Sequence, residues 1–68
     1  MELSARNQLR GKVKSVKHGA VMSEVTIEIG GGQNLVSTIT RVSAERMKLS
    51  EGDSVTAIIK ATEILIGK

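Results

Sequence analysis

No cysteine occurs in this chain of 68 residues. That excludes a disulfide framework and any zinc site built on thiolates. Phe, Tyr and Trp are absent as well. Without them the core lacks the side chains that bury the most area each, and a single-stranded nucleic acid would find no aromatic platform on which to stack its bases. That leaves a small nucleic-acid-binding domain as the weaker alternative reading. No apolar run reaches the roughly 18 residues of a membrane span. The first residues do not join a basic stretch to an apolar one, the pattern of a secretory signal, so the expected location is cytoplasmic. A catalytic set is equally hard to assemble. The one histidine, His18, has no cysteine partner, Asp53 sits in a turn beside Gly52, and the serines have no evident base. The chain is expected not to be an enzyme.

What is present is an aliphatic repertoire of Val, Ile, Leu, Ala and Met, which makes up the 40% hydrophobic content. The length fits a single domain over residues 1–68, near the lower limit for independent folding. So small an aliphatic core is marginal by itself. Association with copies of the same chain buries further area without lengthening it. Ten Lys and Arg against seven Asp and Glu leave a net charge of +3. The excess fits an anionic partner but does not identify one.

Alternation dominates the chain. Leu9, Gly11, Val13 and Ser15 fall on one face, and Arg10, Lys12, Lys14 and Val16 on the other, as in a half-buried strand with one basic face. Lys17–Ala20 reads as a turn, with Gly19 placed for a positive φ. Val21, Ser23, Val25, Ile27 and Ile29 then alternate with Met22, Glu24, Thr26 and Glu28. Lys12 or Lys14 is positioned to pair with Glu24 or Glu28 across this hairpin. Gly30–Asn34 is a second turn; no GK[ST] follows its three glycines, which argues against a phosphate loop. Leu35–Thr40 is a third strand. Ser43 is placed as the N-cap of one or two helical turns, with Arg46 where the acid of a capping box would sit. Ser54–Lys60 returns to strand, and Ile64–Ile66 makes a last short one. The predicted class is therefore all-β: a five-stranded OB-type barrel with one short helical turn between the third and fourth strands.

One stretch stands apart from this patterning. Ser4-Ala5-Arg6-Asn7-Gln8 offers a hydroxyl, a guanidinium, two carboxamides and the N–H groups between them, and no carboxylate. Such a set suits an anion whose oxygens all accept. A polar N-terminal arm without a ligand is the plain alternative. SARNQLRG at Ser4–Gly11, a central T-x-x-S at Thr40–Ser43, a glycine-acid turn at Gly52-Asp53 and Lys60-Ala61-Thr62 span nearly the whole sequence. Together they resemble the molbindin family, the small molybdate-binding proteins also called Mop or TOBE domains.

The resemblance implies more than the residues alone do. It implies cytoplasmic binding of molybdate or tungstate for storage and homeostasis, with the oxyanion as the sole ligand, no organic cofactor and no bare metal cation. It implies a homohexamer, a trimer of dimers, with one kind of site between subunits formed by Ser4, Ala5, Arg6, Thr40, Ser43, Lys60 and Ala61. A second kind, on the symmetry axes and built mainly from backbone N–H groups, maps onto His18, Gly19, Ala20 and Val21. For His18 alone, an exposed turn histidine is the plainer reading.

Overall fold

Alternating aliphatic residues carry the chain through four antiparallel strands in the computed structural model, which describes residues 1–68. β1 spans Asn7–His18, β2 Met22–Gly30, β3 Gln33–Thr40 and β4 Ser54–Ile59. They form one sheet in the order β3-β2-β1-β4, which leaves β3 and β4 as its two edges. A short helix, α1 (Arg41–Arg46), links those edges, and a 3₁₀ turn at Ala61–Glu63 follows β4. The class is all-β with one short helix, as predicted. The sheet is not closed. Ile64–Ile66, expected as a fifth strand, pairs with none of the other four. The 3₁₀ turn, held by Glu63 N–H donating to the Lys60 carbonyl at 2.9 Å, carries the chain off the sheet, and Leu65 is 92% exposed.

Two glycines set the β2–β3 hairpin. Gly31 and Gly32 have φ of 61° and 74°, and a two-residue loop of this kind needs positive φ at both positions to match the strand twist. The β1–β2 turn works otherwise. Gly19 does not have positive φ, contrary to the sequence expectation. Its lack of a side chain matters because a Cβ there would lie 2.8 Å from the Met22 carbonyl oxygen, to which the Gly19 N–H donates at 2.7 Å.

Register explains two further departures. Val13 faces Ile27 and Ser15 faces Thr26, so Lys14 is the extra residue of a β-bulge. A bulge reverses the alternation beyond it. Val16, predicted on the basic face, consequently turns inward opposite Val25 and packs on the core. Lys12 does face Glu28, and Lys17 rather than Lys14 faces Glu24. Neither pair closes to an ion pair; the only one is Arg41–Glu45, one helical turn apart on α1 at 2.6 Å.

The core is correspondingly small. Val13, Val25 and Ile27 form its centre, with Leu35, Ile39, Leu49 and Val55 packed around them, and Ala44 is buried on α1. The N-cap of α1 is Thr40, not Ser43: the Thr40 hydroxyl accepts from the Ser43 N–H at 3.1 Å. Ser43 falls three residues into the segment, at the position whose N–H a cap satisfies.

Candidate functional site

The β1–β4 ladder decides which parts of the chain meet. Asn7 faces Ile59 and Gln8 faces Ile58 in antiparallel register. The residues next beyond the ladder, Ser4–Arg6 before β1 and Lys60–Thr62 after β4, thus emerge on the same side. They line one open cleft of about 350 Å³ together with Ile58. Gln8 ties the arm down by donating from Nε2 to the Ala5 carbonyl at 2.6 Å. On the other wall, the 3₁₀ turn presents its leading N–H groups, which such turns leave without internal partners.

The cleft gathers five of the seven expected interface residues: Ser4, Ala5, Arg6, Lys60 and Ala61. It adds Thr62, whose hydroxyl belongs to the Lys-Ala-Thr run, and the aliphatic floor of Ile58. Two cations and two hydroxyls converge, and no carboxylate is among the lining residues. The Arg6 and Lys60 side chains are exposed and make no ion pair within the chain. Their charge is therefore not neutralised by a neighbouring carboxylate.

Thr40 and Ser43 do not line this cleft. They lie at the β3–α1 junction and bond to each other, the Thr40 hydroxyl donating to Ser43 Oγ at 2.8 Å. That leaves the Ser43 hydroxyl hydrogen free to donate outward.

The β1–β2 turn is a separate place. His18 is exposed, yet its Nδ1 lies 2.7 Å from the hydroxyl of Ser23, which is only 1% exposed. The Gly19 N–H is spent on Met22, while those of Ala20 and Val21 donate to no backbone carbonyl. Only part of the backbone set expected at His18–Val21 is thus available to an anion. Sequence patterning misses Arg41 here. Its guanidinium donates to the Gly19 carbonyl at 3.3 Å and its N–H to the Val21 carbonyl at 2.8 Å. No local spacing signals a contact across 22 positions.

The chain is similar to known proteins along nearly its whole length. A molybdenum-pterin-binding protein of Clostridium pasteurianum is 48% identical over 66 residues, 97% of each chain. The structure of a molybdate-binding protein from Sporomusa ovata superposes with a TM-score of 0.92 at 40% identity, covering the whole of both chains. A structure of the cytoplasmic molybdate-binding protein ModG, solved with molybdate bound, matches at a TM-score of 0.85 and 43% identity; the match covers 90% of this chain and 43% of that one. The TOBE domain model matches residues 3–66, and the chain belongs to that family.

Proposed function

We propose that this protein binds molybdate or tungstate in the cytoplasm, as a store that buffers the free oxyanion. The observation that carries the reading is the convergence of Arg6, Lys60, Ser4 and Thr62 in one cleft free of carboxylates. Both oxyanions are tetrahedral dianions without a proton near neutral pH, so their oxygens only accept hydrogen bonds. A lining rich in donors suits them, whereas the proton of hydrogen phosphate would find no carboxylate there and only the hydroxyls of Ser4 and Thr62 as side-chain acceptors. Arg6 supplies a planar fork of donors, and Lys60 a compact second charge. The names of the relatives, molybdate-binding and molybdenum-pterin-binding proteins, support the same ligand class.

The cleft is open to solvent, and in our reading a second copy completes it. Thr40 and Ser43, placed away from Arg6 in one chain, reach the ligand from a neighbour, with the free Ser43 hydroxyl as the donor. The homohexameric trimer of dimers is the assembly in which such seams repeat, and the five-stranded barrel is the form each subunit takes within it. The positions from His18 to Val21 are a weaker, backbone-built candidate for an anion on a symmetry axis. Neither an organic cofactor nor a bare metal ion belongs to this mechanism, and no catalytic step does.

Isothermal calorimetry with molybdate, tungstate, sulfate and phosphate tests the proposal directly. Saturable heat with the first two and weaker heat with the others is expected. Ligand bound only by the folded assembly also raises its melting temperature. An unchanged midpoint at saturating molybdate overturns the reading.

A further inference from the structure

The outer face of the sheet keeps its positive and negative side chains on different strands. Gly11 and Val13 turn inward: a Cβ on Gly11 would meet Ile27 Cγ2, and Val13 is buried. Their neighbours Arg10 and Lys12 therefore stand on the outer face, both exposed. The β1–β4 register sets Thr56 opposite Arg10 and Ser54 opposite Lys12. These four side chains line an open cleft of about 490 Å³, with Gly11 and Val55 between them. We infer that this cleft is a second oxyanion site, one that takes a proton-free tetrahedral dianion without selecting its size, sulfate as readily as molybdate.

Charge is the first support. Arg10 and Lys12 lie two strand positions apart, about 7 Å, and neither is in an ion pair. Glu28 faces Lys12 from β2, on the side away from β4, and does not line the cleft. Asp53, next to Ser54 in sequence, is engaged by the Ser50 N–H at 2.9 Å. Two cations and no carboxylate thus line the cleft. The hydroxyls are the second support. Facing residues of antiparallel strands hold their Cβ atoms about 5 Å apart. Ser54 and Thr56 can therefore each donate to an anion that the cations of β1 also hold.

Extent decides the kind of anion. Towards the first cleft the next rung is Gln8 opposite Ile58, which carries no charge. At the other end β4 begins at Ser54. A compact anion fits so bounded a patch, and a long polyanion would run beyond its cations. The cleft is open, so no opposing wall measures the radius of the guest; selection by size needs a clash against the wrong ligand. Four residues of extended chain, about 13 Å, separate Arg10 from Arg6. That exceeds the Debye length of about 8 Å at physiological salt. The two clefts therefore fill independently, and the inference does not depend on which anion the first one holds.

Backbone-amide NMR on the isotope-labelled full chain tests the site, with sodium sulfate titrated at an ionic strength held constant by sodium chloride. Saturable shifts are expected at Arg10–Lys12 and at Ser54–Thr56 together. Arg10→Gln with Lys12→Gln should raise the dissociation constant by at least about tenfold, the effect of losing one charge-assisted hydrogen bond. Thr56→Val keeps the shape without the hydroxyl and should raise it about threefold, which provides a second reading if the β1 variant folds poorly. In an Arg6→Ala chain, molybdate is expected to shift the same amides with a dissociation constant within about threefold of that for sulfate. A linear drift that is equal in every variant, an ion atmosphere only, overturns the inference. Shifts confined to Ser4–Arg6 and Lys60–Thr62 overturn it too, because sulfate then occupies the first cleft. A response to molybdate with none to sulfate does the same. Failure of the first cleft reads differently: molybdate then leaves Arg6 and Lys60 unshifted in the unsubstituted chain, while the shifts at Arg10–Lys12 remain.

Discussion

Asn7 faces Ile59 across the antiparallel β1–β4 ladder, and this pairing brings Arg6 and Lys60 onto one cleft from opposite ends of the chain. Neither cation has a carboxylate partner within the chain. Bringing like charges together is unfavourable until an anion arrives, so ligand and cleft stabilise each other through linkage.

Arg6→Ala is expected to weaken molybdate binding by roughly 10- to 100-fold. The estimate rests on one charge-assisted hydrogen bond contributing about 1.5–3 kcal/mol, with each 1.4 kcal/mol a factor of about ten. Arg6→Lys restores the charge without the planar fork and should fall in between. Calorimetric titration of both variants beside the parent measures this. Equal affinity in all three would remove Arg6 from the site.

His18 and Ser23 offer an asymmetric pair. Ser23 is buried on the apolar face of β2, and its hydroxyl is bonded to the exposed His18 ring. Removing the histidine strands a buried hydroxyl, which costs about 1–3 kcal/mol. Removing the hydroxyl instead leaves an imidazole that water can reach. His18→Ala should therefore destabilise more than Ser23→Ala, and the double variant should recover part of the loss. Urea unfolding at fixed protein concentration reads all three. A reversed order would mean that the bond is not what keeps Ser23 inside.

Much of this was legible in the residues, and the misses have identifiable causes. Period-two patterning located all four strands because each has one face on a small aliphatic core. It placed Val16 on the wrong face because a bulge at Lys14 changes the phase without any composition signal. Pattern favours Ser43 as the N-cap because Thr40 belongs to the preceding strand; only the hydrogen bond shows that the same residue ends β3 and caps α1. The cleft was readable as two motifs, at Ser4–Gln8 and Lys60–Thr62, whereas their meeting depends on strand order, which local patterning does not encode. Ile64–Ile66 has the composition of a strand, but composition alone does not pair it, and it joins none of the four.

Thr40→Ala removes the side chain that caps α1. Loss of such a cap costs about 0.5–2 kcal/mol. It also frees Ser43 Oγ from its bond to Thr40, so the variant should be less stable and, if Ser43 reaches a ligand across a subunit seam, weaker in binding as well. Thr40→Ser keeps the hydroxyl and should restore both. Thermal unfolding with and without molybdate separates the two effects. Full restoration of stability without restoration of binding would show that the Thr40 methyl, not its hydroxyl, matters at the seam.

Gly11 tests the packing of β1 on β2. A Cβ at this position would lie 2.5 Å from the Glu28 carbonyl oxygen and 2.6 Å from Ile27 Cγ2. The carbonyl is backbone and belongs to a central strand, so it has little room to retreat. Gly11→Ala should destabilise the fold by about 1–3 kcal/mol, the usual cost of forcing extra volume into a packed interior. Gly67→Ala is the control, since nothing lies within 4 Å of a Cβ there. Chemical unfolding of the two variants makes the comparison, and equal midpoints would show that β1 and β2 separate enough to admit a methyl group. Because Gly11 also lies opposite Val55 on β4, a displaced β1 would shift the β1–β4 ladder and with it the distance between Arg6 and Lys60. Gly11→Ala is therefore expected to weaken oxyanion binding without touching a residue of the cleft.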